Sequence, residues 1–553
     1  MDVNKFNEFI TEAAACVIAK MYSSLDLPRA RLHEIIEHFQ AFLQNSTIST
    51  FMNHLIDRLK ILGEYSDNIS AYKTMLEILL NPFRNLRSEY QCIKYFKNSG
   101  IYISTENVVI GKEKVLDKKD DGSDLKIKEA SMQFIPLRHV LTKFFELPKI
   151  FESVLSYIDK LEQDDILVTN IIQGNDWKRK KLLFPSRIVI PLLLYQDDFE
   201  TNNPLGSHKG KGKVGAVYIV IPCLPPHMQS KTENIFLLML YKSSDLKNIS
   251  LHQFFIKAVE ELKYLENVGI NVSTLSGAKQ IYFSLSGVIG NNLAVHTILG
   301  FMKSFSANYP CRFCLVDSNN LNAIVKLSSC KRRTVENYSE HLALNNPKVT
   351  GISGSSVICG LQSSSTIDLL TVDVMHDILE GCCQYDFGVI FNHFIIKEKY
   401  FTLDDINNRI DVFFYGLNEN RNKPCLITAT EIHNSYVKMS ASESLCLLNN
   451  IGHIIRDFIP VNHEHWRVII VLKEILDNVT SSTVHSGLIY FLETLIFQDL
   501  SLLTKLFPGY FKPKHHFIIH YPEIMRRNGP LWNLSTIRCE SKNRDLKILS
   551  RVS

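Results

Sequence analysis

Apolar residues recur at helical spacing through the first part of the chain. In the segment NEFITEAAACVIAKMY, Phe9, Ile10, Ala13, Val17 and Met21 fall along one broad face. The spacing predicts a helical N-terminal region over residues 1–165, interrupted at 111–129 (GKEKVLDKKDDGSDLKIKE) by a polar loop or linker. Then the period changes. RIVIPLLLYQDD (187–198), GAVYIVIPCLP (215–225) and NIFLLMLYKS (234–243) are β-rich apolar runs separated by Gly, Pro, Asn and Ser, and they predict three consecutive strands. Pro191 has no N–H to donate, which places the first of them at a sheet edge or breaks its pairing. Leu251, Phe254, Phe255, Ala258, Val259, Leu262 and Leu265 form an i, i+3, i+4, i+7 stripe, the mark of an amphipathic helix. KQIYFSLSGVIG (279–290) predicts a fourth strand, LAVHTILGFMKSF (293–305) a helix, and NYPCRFCLV a short fifth strand.

Three strands, helix, strand, helix, short strand is the order of a ribonuclease H-like core within an α+β chain. The core's first part would occupy 185–315 and a mostly helical insertion 316–530. The last core helix would fall at 531–553, close to the end of the sequence. Fold order alone licenses no activity. It does say where acidic residues matter: a two-metal nuclease gathers carboxylates from separate elements around ions ~3.5–4 Å apart. The first strand ends in Asp197 and Asp198, which alternation sends to opposite faces, so that one of the two points into such a site. The plain alternative is a solvated strand end.

Composition changes this picture little. Of 553 residues 45% are hydrophobic and 21% charged, an ordinary globular balance, and the net charge of +4 is too small to imply nucleic acid by itself. Residues 1–22 carry Asp, Asn and Glu through their apolar stretch, unlike a secretory signal. No run of ~18 apolar residues suggests a membrane span. Twelve cysteines are mostly scattered singly, as expected of an intracellular, reducing compartment. There the Cys311-Arg-Phe-Cys314 spacing reads as half of a zinc site or as two reduced core thiols.

Several blocks carry a resemblance: LYQDDFETNNPLGSHKGKGKVGAVYIVIPCLPP, SFSANYPCRFC, VDVMHDILEG, KMSASESLC and KPKHHFIIHYP. From about Glu89 onward the chain resembles transposon-encoded proteins of animal genomes that are similar to transposases of the CACTA superfamily. The resemblance implies a DDE, ribonuclease H-like core, Mg²⁺-dependent strand transfer on DNA at element ends, action in the nucleus, and assembly as a homo-oligomer. Neither a membrane nor a small-molecule substrate is implied. In that pattern the fourth strand runs into Gly-Asp-Asn. Here Gly290-Asn291-Asn292 stands instead, so a neutral amide replaces the second metal ligand and catalysis is expected to be impaired. The neighbouring acids Glu260, Glu261 and Glu266 lie on the preceding helix and are poor substitutes.

For the third carboxylate the candidates are Glu380 and Glu540. Gly529-Pro530 followed by Arg538-Cys539-Glu540 matches the family's Gly-Pro and Phe-Glu-Arg helix and favours Glu540, with Cys539 where Phe is usual. A C/D-xx-H element recurs in such proteins, and Asp373 and His376 fit it. They are therefore expected to complete a structural Zn²⁺ site with Cys311 and Cys314; an Asp–His hydrogen bond is the alternative. His516 and His520 have the i, i+4 spacing of a helical metal pair. With no acidic partner adjoining, His515, His516 and His520 read rather as core packing or phosphate contacts. The basic runs Lys178–Lys181 and Lys209, Lys211 and Lys213 read as solvated faces or DNA contacts. No zinc finger precedes the helical region. A domesticated, non-catalytic nuclear protein that binds DNA or protein is the competing function.

Overall fold

The computed structural model describes residues 2–24, 27–119, 122–164, 166–202 and 212–552, with side chains omitted at 113–119, 122–128 and 551–552. The chain divides into two compact units. One comprises residues 1–106, 200–213 and 541–553; the other comprises 107–199 and 214–540.

The first unit is built from the helices Val3–Tyr22, Arg29–Leu43, Ser46–Ile61, Ser66–Leu79 and Glu89–Asn98. Their starts follow local chemistry: the Asp2 carboxylate accepts from Asn4 N–H at 3.0 Å, and Ser88 with Gln91 forms a capping box. The core is Ala14, Ala15, Ile18, Leu32, Ile36, Phe83, Leu86, Cys92 and Phe96. The first helix therefore buries a face one residue, or about 100°, away from the stripe expected from Phe9, Ala13 and Val17. Phe9 is 67% exposed. Ala14, Ala15 and Ile18 are the residues of this helix that lie buried in that core.

The second unit is organised around a mixed sheet, which with the helices makes the protein α+β. Its strands are β1 (Glu106–Lys119), β2 (Gly122–Phe134), β3 (Ile188–Glu200), β4 (Lys213–Val220), β5 (Ile235–Lys242), β6 (Ile270–Thr274) and β7 (Gly277–Ile289). Their order in the sheet is β1-β2-β5-β4-β3-β7-β6. Residues 111–129 are thus not a linker but lie mostly within the β1 and β2 strands. Met132–Phe134 pair antiparallel with Met239–Tyr241, so the sheet-bearing unit begins near residue 107 rather than 185.

β3 lies in the interior of the sheet, not at its edge. It runs parallel to β7 from Ile188↔Ile281 to Tyr195↔Ile289, with a register shift between Leu192 and Leu193. Pro191 itself stands opposite Ser284, and the irregularity falls one residue beyond it. Ile190, Leu192, Leu193 and Leu194 are fully buried. The helix Leu251–Asn267 buries the expected Phe254, Phe255, Ala258, Leu262 and Leu265, and Phe254 packs 5.0 Å from the Tyr241 ring on β5.

Two expectations beyond β7 need correction. The helix after β7 is short, Asn292–Leu299, because Gly300 turns the chain at φ 77, where an added Cβ would lie 2.2 Å from the Gly354 carbonyl oxygen. NYPCRFCLV forms no strand; Cys314 makes a single antiparallel bridge with Arg332. The partner that does extend β7 is a parallel bridge between Val288 and Leu370. Residues 316–530 are mainly helical as expected, and the last helix spans Ile537–Val552. One described helix, Ser486–Leu506, is long and apolar enough to cross a membrane. In this structure it buries Leu492, Leu495, Ile496, Leu500 and Leu503.

Candidate functional site

Both β3 and β7 run toward the same edge of the sheet, and the residues just past their last paired positions meet there. Asn291 is the N-cap of the helix Asn292–Leu299: its Oδ1 accepts from Ala294 N–H at 2.9 Å. Its amide nitrogen points the other way and donates weakly to Asp197 Oδ1 at 3.5 Å. Gly290, at φ 157, makes the turn with little room to spare, since a Cβ there would lie 3.3 Å from the Gln196 carbonyl oxygen. Asp197, not Asp198, is therefore the carboxylate that faces Asn291. Asp198 accepts from Gln196 Nε2 at 3.2 Å, and the same nitrogen donates to the Tyr241 hydroxyl at 3.1 Å.

Glu540 reaches the same place from the first turn of Ile537–Val552. Burial and the Glu540 carboxylate push Asp197 up to about 6, against the pull of His376 and the Asp198 backbone N–H. Two largely buried carboxylates that repel each other do not both ionise cheaply unless positive charge is supplied.

That charge comes from His376. Its Nε2 lies 3.1 Å from Glu540 Oε1 and its Nδ1 2.5 Å from Asp373 Oδ2. Burial opposes the imidazolium, but hydrogen bonds to Asp373 and Glu540 outweigh it and hold His376 at about 10. Asp373 is buried and fixed in turn by Thr536, whose Oγ1 donates at 2.6 Å and whose backbone N–H donates at 3.2 Å. Thr536, four residues before Glu540, ties the acidic helix to the Asp-xx-His element.

Glu380 borders the cluster. Burial and Glu540 raise its carboxyl while His376 lowers it, and Oε1 accepts from Ala441 N–H at 3.2 Å. It stands at a kink (φ −97, ψ 18) in the π-helical stretch Met375–Cys382, an irregularity of the kind often found at functional sites. Glu261 and Glu266 are committed elsewhere, to Arg138 and to the backbone N–H groups of Gln362 and Ser363. As a donor set for two divalent ions the cluster is poor: Asn291 offers a neutral amide, and the Asp373 and Glu540 carboxylates are already engaged by the His376 imidazole.

The second cluster is different in kind. Cys311, Cys314, His516 and His520 are all buried, with ligand atoms within 4.8 Å of one another. Cys314 Sγ lies 3.2 Å from His516 Nε2, and Cys311 Sγ lies 3.5 Å from His520 Nε2. Burial works against a thiolate, yet Cys314 and the two imidazoles hold the Cys311 thiol well below its ordinary value. Phe313 N–H donates to Cys311 Sγ at 3.3 Å, a further stabilisation of charge on that sulfur. Two thiols in a tight turn and two imidazoles one helical turn apart are a tetrahedral Zn²⁺ donor set, and the residues fit that ion.

This changes the expected grouping of these residues. Asp373 and His376 belong to the acidic site, not to Cys311 and Cys314. His516 and His520 supply the other half. His515, His516 and His520 are all fully buried, which agrees with the core-packing alternative and not with phosphate contact, and His515 pairs with Asp386 at 3.0 Å. The i, i+4 spacing was the available signal, but nothing in one sequence joins it to a Cys pair some 200 positions away.

The basic run at 178–181 is largely consumed internally as well. Lys180 is buried and donates to the Leu285 carbonyl at 2.9 Å and Ser364 Oγ at 2.8 Å, Arg179 pairs with Asp368, and Lys181 pairs with Glu162. Lys209 and Lys211 lie outside the described residues; Lys213 opens β4.

The architecture thus defines a class only: a mixed α+β protein with an acidic cluster at one edge of its sheet and a separate Cys₂His₂ cluster. A scan against protein-family models finds none that matches, and no curated protein matches the chain.

Proposed function

We propose that this chain is a transposase-derived protein with a ribonuclease H-like core, whose metal-dependent DNA cleavage is impaired by Asn291. The observation that carries the reading is the meeting of Asp197, Asn291 and Glu540, brought from an inner strand, the turn after its parallel neighbour, and a helix far along the chain. The strand sequence β5-β4-β3-β7, with β3 parallel to β7 and a parallel bridge at Val288–Leu370, supports the fold assignment. In such a site divalent ions would activate water and stabilise the leaving oxygen at a phosphodiester. The residues present do not meet that demand. Loss of one carboxylate costs several kcal/mol, or on the order of 10³-fold in rate.

A second reading, a non-catalytic DNA- or protein-binding role, draws on the same chemistry. The Asn291 amide and the His376 imidazolium offset Asp197 and Glu540 without any metal, so the fold can persist as a scaffold. In either case DNA is the expected partner, the nucleus the expected place of action, and the Cys₂His₂ cluster a structural Zn²⁺ site that ties residues 311–314 to 516–520.

The test incubates the purified chain with Mg²⁺ or Mn²⁺ and supercoiled DNA. We expect no nicking by the native chain and nicking by Asn291→Asp that is abolished by Asp197→Asn. Nicking by the native chain would refute impairment. Salt-dependent DNA binding without nicking in either form would favour the scaffold reading.

A further inference from the structure

A third group of potential ligands lies in the helical part of the second unit, away from both clusters above. His393, His463 and His465 present ring nitrogens within 4.8 Å of one another. They come from two elements. His393 opens the π-helical stretch His393–Lys397, and His463 is the N-cap of the helix Glu464–Val479, whose second residue is His465.

The His393 and His465 rings lie face to face, with centroids 3.7 Å apart and planes at 11°, and the His463 ring centroid is 5.2 Å from that of His465. Phe394, Tyr400 and Phe507 pack their rings around the three imidazoles. Two of the ring nitrogens, His393 Nε2 and His463 Nδ1, are buried and make no hydrogen bond, although Glu398 Oε1 stands 3.4 Å from the first.

Buried polar atoms without partners are costly, and a bound cation would satisfy both of these ring nitrogens. An imidazole nitrogen with a free lone pair is the form that binds metal.

We propose that His393, His463 and His465 form a second metal site, for a divalent transition ion of the zinc class, with the Glu398 carboxylate as fourth ligand. Imidazole donors select this class over Mg²⁺ or Ca²⁺, which need oxygen ligands. A tetrahedral zinc with bonds of ~2.0–2.1 Å sets its donor nitrogens roughly 3.3 Å apart, so rings whose nitrogens already lie within 4.8 Å need close in by at most about 1.5 Å. Glu398 is 41% exposed and caps the π-helical stretch that begins at His393, which places its carboxylate beside the imidazole cluster. Bound ion would pin the end of His393–Lys397 to the start of Glu464–Val479.

The test uses the full chain, stripped with chelator and titrated with Zn²⁺, then with Co²⁺ as a spectroscopic reporter. We expect two zinc equivalents in the native chain, and one in His465→Gln. Cys311→Ser/Cys314→Ser should retain one ion whose cobalt spectrum lacks thiolate charge-transfer absorption. Losing His465, a direct ligand, should weaken this site by more than the roughly 10–100-fold that loss of an outer-shell partner costs. If the cysteine variant does not fold, His465→Gln on the native background decides by the same count, with its metal-free melting curve showing that it folds. A native chain that binds only a thiolate-ligated ion, or zinc uptake unchanged by His465→Gln, would overturn the proposal.

Discussion

Replacing Asn291 with Asp probes the acidic site most sharply, because the geometry fixes both the sign and the ceiling of its effect. Asp caps a helix as well as Asn does, so the bond from Ala294 N–H is kept. What changes is the group facing Asp197: a donor 3.5 Å away becomes a second carboxylate. At an effective dielectric of ~20 the repulsion between two such charges is about 5 kcal/mol. The protein need not bear that cost. Asp197 already titrates at about 6, so at pH 7 taking up one proton costs only ~1.4 kcal/mol, which caps the destabilisation in chelator at roughly 1–2 kcal/mol.

The pH course follows from the same value. Below pH 6 Asp197 is protonated in the native chain and the variant should be no less stable. Above pH 7 the penalty should grow by about 1.4 kcal/mol per pH unit until it reaches the Coulomb ceiling. Millimolar Mn²⁺ should reverse it. Urea melts of both forms between pH 5 and 8, with EDTA or Mn²⁺, measure all of this. A penalty independent of pH, or one that Mn²⁺ leaves unchanged, would refute the reasoning.

Further outcomes follow from the neighbouring groups. His376 is raised in the folded chain to about 10, so its contribution is complete below the unfolded value near 6.5 and fades as pH rises through 10. His376→Gln should therefore flatten the stability profile between pH 7 and 10 in denaturant melts. The same variant should leave zinc content unchanged, whereas Cys311→Ser or His516→Ala should release zinc and destabilise by several kcal/mol, read by metal analysis and thermal melting. Asp198→Asn should leave Mn²⁺ binding unaltered where Asp197→Asn abolishes it, since Asp198 is turned toward Gln196 and Tyr241.

How much of this could be read from residues alone depends on what each segment buries. β3, β4, β5 and β7 announce themselves because inner strands such as Ile188–Glu200 are nearly continuous apolar runs. The β1 and β2 strands do not: their segment is rich in Lys, Asp and Glu, and without an apolar run it reads as a loop or linker. Alternation separates Asp197 from Asp198 but does not say which faces Asn291; that is set by pairing with β7. The Asp373–His376 pair was legible as a unit through its i, i+3 spacing. Its destination was not, because the choice between Glu540 and the cysteines is made by Thr536 through bonds to Asp373 across the fold. Cys311 and Cys314 were likewise legible as half a site, with His516 and His520 recognisable as a pair but not as their partners.

The central claim is that Asp197, Asn291 and Glu540 descend from a cation site that has lost one ligand. Mn²⁺ binding, followed by the loss of the free-ion paramagnetic resonance signal in the native chain and in Asn291→Asp, tests it most directly. The account predicts that the variant binds on the order of tenfold more tightly or better, a difference of at least ~1.4 kcal/mol, and that Asp197→Asn removes the gain. Equal binding by the two chains, or a gain that survives Asp197→Asn, would contradict it.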